Sequence, residues 1–156
     1  MPHYFDDPLV DIAAHRLETS PAGTSSSFLG FPTQLVTAAC SCGSWRSDKR
    51  WEISAHFEPY DQHMHEVQEH AHSTARLAQR LTPLQLQLLS LVQNGALKAT
   101  AGGHSFSSLT EQVPEASCVS APLERLATDR WIALRPGEDA ALTTEGRIAL
   151  LSHQTG

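Results

Sequence analysis

The sequence predicts an α+β chain in two folded parts. A small β-hairpin plus helix, held by a cluster of cysteine and histidine, precedes a helical domain whose third helix feeds a two-stranded ribbon. Three observations carry this. Strand-like runs flank Cys40-Ser41-Cys42-Gly43, a histidine-dense stretch with helical apolar spacing follows to Arg80, and the pattern turns from helical to strand-like at Asp129-Arg130. The organisation expected is an arm and linker over residues 1–27, a metal-binding module over 28–80 and a further domain over 81–156.

Composition limits the classes open to the chain. With 40% hydrophobic and 18% charged residues over 156 positions, it can bury a core and is not a disordered sequence. No apolar run approaches the roughly 18 residues of a membrane span. The opening residues carry acids where a secretory leader would carry a basic and then an apolar block, so a cytoplasmic protein is expected. Three cysteines, with Cys40 and Cys42 one residue apart, make a poor disulfide framework and point to metal or free thiol. The net charge of −6 argues against a protein that coats nucleic acid, because Lys and Arg supply most non-specific affinity for phosphate.

Taken in order, Leu9 to Leu17 is a short amphipathic segment, and Ser20 to Ser27 has the composition of a linker. The arm is open to two readings, a docking segment or a surface-packed tail. Gln34 to Ala38 reads as a strand running into the CxC bend. Trp45 and Trp51-Glu52-Ile53 lie across from it, with a turn at Ser47-Asp48-Lys49. Glycine just after the second cysteine permits the curl that brings two sulfurs to one point.

From Pro59 to Arg80 a helix is expected, with Met64, Val67, Ala71, Ala75 and Ala78 as its buried stripe. His63 and His70 flank that stripe on one side and His65 and His72 on the other. Residues seven apart rise about 10.5 Å along a helix, so neither flanking pair is a simple chelate. The pair His65 and His70 matches H-x₄-H, and the expected ligand set is Cys40, Cys42, His65 and His70, with His63 and His56 as substitutes. Two thiolates and two imidazoles make a closed tetrahedral site for structural Zn2+. The alternative is a pair of packed cysteines beside a solvated histidine face. In outline this module resembles a ββα zinc finger, with 22 residues between Cys42 and His65 where that family has about 12. The segment His65 to His70 reads H-E-x-x-x-H, one residue too long for the zinc-protease helix, which argues against hydrolase chemistry. No nucleophile, base and oxyanion donor can be assembled from the motifs present, so no enzyme is expected.

Thr82 and Pro83 are an N-cap and a first helical residue, opening a helix with Leu84, Leu88, Leu89, Leu91 and Val92 that stops at Asn94-Gly95. Ala96 to Phe106 reads as a hairpin about Gly102-Gly103, with His104 at its surface, and a brief helix is expected over Ser108 to Val113. The next helix starts near Cys118 to Ser120 with Pro122 in its first turn and buries Val119, Leu123 and Leu126. Cys118 is open to an inert or an oxidant-sensing role. Trp131 to Leu134, a turn at Pro136-Gly137, and Ala140 to Leu142 make the ribbon, and Thr143 or Thr144 caps a last helix.

The segments VSAPLERLATDRWIAL and LTTEGR resemble the recognition helix, wing strand and wing-to-helix junction of the MarR-like winged helix-turn-helix proteins. The resemblance covers roughly residues 81–153. Where that family often has glycine before the apolar strand, this chain has Arg130. The resemblance implies a DNA-binding transcriptional regulator, with Ser117, Ser120, Ala121, Glu124 and Arg125 in the major groove and Arg135 on a phosphate. Over residues 81–156 there are five basic and seven acidic side chains, so a homodimer would be needed to double the phosphate contacts. The alternative is a protein-interaction module, or a subunit of a larger complex, docking a protein partner through the same helix.

Overall fold

The structure is a computed structural model that describes residues 3–26, 29–106 and 116–155, with backbone only over 116–120. It is a mixed α+β chain of two compact units, Met1–His70 and Ala71–Gly156. The division falls inside a helix, upstream of the 80/81 boundary that the sequence suggested.

In the first unit, 3-10 turns at Tyr4–Asp6 and Ile12–Ala14 lead into β1 (Leu17–Ser26), β2 (Pro32–Cys40) and β3 (Arg46–Trp51). These form an antiparallel sheet in the order β1-β2-β3. In β2, Val36, Ala38 and Cys40 alternate to the buried face, the two-residue period of a half-buried strand. The segment read from its composition as linker is most of β1. Its Ser, Thr and Gly residues pair through the backbone with β2, from Leu17 opposite Cys40 to Ser26 opposite Pro32, and a ladder of main-chain bonds does not require apolar side chains. The register slips between Pro21 and Thr24, where Gly23 takes φ 108°. Ser47 to Lys49, expected as a turn, lie within β3, and the bend is shorter, between Cys40 and Arg46.

The N-terminal segment packs inward. Tyr4 and Val10 are buried with Met64, and Asp7 accepts a hydrogen bond from Gln68 Nε2 at 2.8 Å. A 3-10 turn at Ile53–His56 runs into α1 (Phe57–Ala78), which matches the expected helix closely. His56, the second substitute ligand, is buried, and its Nε2 donates to the Val36 carbonyl at 2.8 Å. Met64, Ala71 and Ala78 of the expected stripe are buried, joined by His63, Gln68 and Thr74.

In the second unit, α2 (Pro83–Gln93) opens with a capping box. The Gln85 amide donates to Thr82 Oγ1, and Gln85 Oε1 accepts from the Thr82 amide. A hairpin of β4 (Leu97–Thr100) and β5 (Gly103–Phe106) follows, then α3 (Ala116–Thr128), the short pair β6 (Ile132–Ala133) and β7 (Ala141–Leu142), and α4 (Thr144–Gln154). Leu88, Leu89, Leu97, Leu126, Ile132 and Ala149 are central to one apolar core. The brief helix expected over Ser108 to Val113 lies outside the described residues. The third helix is already present at Ala116, the first described residue after 106, so Pro122 stands inside it and not in its first turn. Thr143 is the cap of α4, with its hydroxyl accepting from the Gly146 amide at 3.1 Å. Among the described residues, no helix is long and apolar enough to cross a membrane.

Candidate metal centre

The bend after β2 is shaped by its own backbone. The Cys40 amide donates to the Trp45 carbonyl at 2.9 Å, the Gly43 amide donates to the Cys40 carbonyl at 2.9 Å, and Gly43 adopts φ 79°. An L side chain is strained at that angle, so the glycine after the second cysteine has the conformational role that the sequence suggested. The bend leaves Cys40 buried and Cys42 exposed.

The pairing of Leu17 with Cys40 carries the residues just before β1 to the same place. Ser41 fastens them: its amide donates to the Arg16 carbonyl at 2.8 Å, and its hydroxyl accepts from the Arg16 amide at 2.8 Å and donates to the Ala14 carbonyl at 3.1 Å. His15, enclosed by these bonds, points Nδ1 at Cys40 Sγ, 3.6 Å away. From α1, His63 points Nε2 at Cys42 Sγ, also at 3.6 Å. One ligand atom from each of His15, Cys40, Cys42 and His63 lies within 4.8 Å of the other three.

These dimensions suit a small tetrahedral ion. Zinc bonds of about 2.3 Å to sulfur and about 2.0 Å to nitrogen, set tetrahedrally, place neighbouring sulfur and nitrogen about 3.5 Å apart. Both sulfur–nitrogen contacts are close to that edge. Trp45 stacks on His63 with 6.0 Å between ring centroids and 19° between planes, and Tyr60 donates its hydroxyl proton to the His15 carbonyl at 2.6 Å. His63 is thus backed by the Trp45 ring, and His15 is held through the backbone bonds of the segment just before β1.

The imidazoles and Cys42 are biased towards the forms that bind a cation, while Cys40 is biased against it. Burial lowers His15, partly opposed by Asp11. His63 is lowered by burial and then by His15, partly opposed by Glu66, so both rings tend to the neutral form a metal requires. Burial, with a smaller contribution from neighbouring Cys42, pushes the Cys40 thiol up to about 11. Burial would raise Cys42 too, but hydrogen bonds from the Ser44 hydroxyl and amide, together with those involving Cys40 and Trp45, outweigh it and hold the thiol below its usual value.

Of the ligand set expected from sequence, the structure brings Cys40 and Cys42 together and pairs them with His15 and His63 in place of His65 and His70. Two residues turn a helix through about 200°, so His65 faces away from His63. It is exposed, 3.3 Å from Asp61 and edge-on to Tyr4. His70 is exposed roughly two turns beyond His63, about 10.5 Å along the axis. By sequence, His63 is one of the substitutes for the expected pair. His15 carries no spacing signal, and only the strand register reveals it.

On α3, Ala121, Glu124 and Arg125 are exposed while Leu126 is buried. Arg125 pairs with Asp129 at 2.9 Å, and Arg135 lies 3.8 Å from Glu138. The side chains of Ser117, Ser120 and Cys118 lie outside the described residues. His104 Nε2 donates to the Glu138 carbonyl at 2.7 Å. No protein-family model, curated protein or solved structure matches the chain.

Proposed function

We propose that the chain is a DNA-binding transcriptional regulator whose first unit carries a structural zinc ion on His15, Cys40, Cys42 and His63, and whose second unit is a winged helix-turn-helix. The zinc reading is supported by the donor set. Two soft thiolates and two neutral imidazoles select zinc over hard cations and leave no position for a substrate water. Such an ion would fasten the segment before β1, the CxC bend and α1 to one point.

The observation that carries the DNA-binding reading is the outward face of α3. Ala121, Glu124 and Arg125 are exposed, the helix is anchored by Leu126, and it leads directly into the β6–β7 pair bearing Arg135. In this reading Arg125 and Glu124 meet base edges and Arg135 meets a phosphate. A homodimer would double the few cationic contacts available. The test is selection from random duplexes at low and moderate salt. One enriched sequence, bound with an affinity that falls steeply as salt rises, is the expected result, and failure to enrich any sequence at low salt refutes it.

The ion pairs favour a second reading, docking to a protein partner through the same face. Asp129 and Glu138 partly neutralise the cations that a phosphate would need. Retention of no duplex, with a partner whose binding is abolished by substituting Glu124 and Arg125, would favour that reading.

A further inference from the structure

The ligands of the Cys/His cluster differ in their access to solvent. Cys40 and His63 are only 2% and 7% exposed, whereas Cys42 stands in the open at the bend. The Cys42 sulfur lies 3.0 Å from the Ser44 hydroxyl and 3.5 Å from the Ser44 amide, donors suited to a thiolate at the surface. A redox partner is built in: Ser41 alone separates the two cysteines, and their sulfurs lie within 4.8 Å. A dissolved oxidant therefore meets Cys42 first, and Cys40 is positioned to resolve what forms there.

From this arrangement we infer that Cys40 and Cys42 form a peroxide-responsive switch that releases the zinc ion. The inference rests on the zinc reading above and adds regulation to it. The Cys42 thiolate attacks one oxygen of hydrogen peroxide. The O–O bond breaks, the departing hydroxide takes a proton to become water, and Cys42 is left as a sulfenic acid. The Cys40 thiolate then attacks the Cys42 sulfur, the S–O bond breaks, and the second hydroxide leaves as water with a second proton. In sum, two thiolates, one peroxide and two protons give one disulfide and two waters. Each sulfur gives up one electron and the peroxide takes both. A disulfide is no longer a thiolate ligand, so the ion is left with two imidazoles and dissociates.

The test uses the full chain in a Cys118→Ser background, loaded with zinc and titrated with hydrogen peroxide. A chromophoric chelator reports free zinc, a thiol reagent counts cysteines, and intact mass reports the product. The expected result is stoichiometric zinc release with loss of both thiols, a monomer about 2 Da lighter, and zinc uptake restored by a thiol reductant. Zinc retained under about tenfold excess peroxide overturns the switch while leaving the zinc site standing, and so does oxidation that ends in links between copies. A chain that takes up no zinc at saturation overturns the zinc reading and the switch together. Independently of the ion, limiting iodoacetamide on the metal-free chain should label Cys42 at least about tenfold faster than Cys40. Equal labelling would remove Cys42 as the point of attack.

Discussion

Ser41 and Arg16 exchange two hydrogen bonds, the Ser41 amide to the Arg16 carbonyl and the Arg16 amide to the Ser41 hydroxyl, each at 2.8 Å. The residue between the two cysteines thereby fixes the chain segment that presents His15. Ser41→Ala keeps the amide bond and loses both hydroxyl bonds. The expected outcome is a loss of about 1–2 kcal/mol in denaturant unfolding and about tenfold weaker zinc binding, as for other groups that orient a ligand. An unchanged zinc affinity would show that His15 needs no such support.

The ligand assignment separates two pairs of histidines. His15→Ala and His63→Ala are each expected to weaken zinc binding by at least about a hundredfold, more than the loss of an outer-shell group. His65→Ala and His70→Ala should leave it within about twofold. Competition with a chelator of known affinity checks all four. Strong loss with His65→Ala, and none with His63→Ala, would restore the ligands suggested by helical spacing alone.

Local signals in the sequence proved legible where one element contains its own determinants. Thr82 and Pro83 announce the start of α2, the pair Thr143-Thr144 that of α4, and Gly43 the bend that follows β2. Long-range placement was not legible. His15 reaches Cys40 only because Leu17 pairs with Cys40, and that pairing belongs to a strand whose Ser, Thr, Pro and Gly read as linker. Likewise His63 and His65 differ by their side of α1, and only the packing of α1 on the Tyr4 and Val10 cluster decides which side faces inward. Pro122 suggests a helix start that it does not mark: a proline inside a helix removes one hydrogen bond and crowds the carbonyl four residues before it, yet α3 runs through it.

Acid should weaken the first unit even without metal. The folded-state values of His15 and His63 lie below their ordinary value, mainly through burial. The unfolded chain therefore takes up protons near pH 6.5 that the folded chain resists, and stability present above that value is lost as pH falls through and below it. Zinc binding adds dependence on the alkaline side, because the Cys40 thiol, held up to about 11, must give up its proton to become a ligand. Zinc affinity measured between pH 6 and 8 is expected to rise by about one to two logarithmic units per pH unit. A flat profile would exclude thiolate ligation.

Gly146 lies in the first turn of α4 against the Trp131 carbonyl. A Cβ there would overlap the carbonyl oxygen and stand 3.1 Å from its carbon, and this is backbone that cannot swing aside. Gly146→Ala should thus destabilise the chain by about 2 kcal/mol or more, despite alanine's better helix propensity. Thermal unfolding decides this, since a stabilised variant would mean that α4 can shift away from the β6–β7 pair without loss.

Arg130 occupies the left-handed region at φ 65°, between the end of α3 and β6, where its amide donates to the Ala127 carbonyl at 3.1 Å. An L-residue there carries about 1–2 kcal/mol of strain. Glycine removes it but gives up about 0.5–1 kcal/mol in backbone entropy. The balance makes Arg130→Gly more stable by about 0.5 kcal/mol and raises Tm by about 1–2 °C. Arg130→Val puts a branched Cβ at the same angle and should lower Tm by several degrees. The two variants remove the same charge, so opposite shifts isolate the backbone. Shifts of the same sign and size would locate the effect in the lost guanidinium and would mean that the turn after α3 relaxes out of the left-handed region in solution.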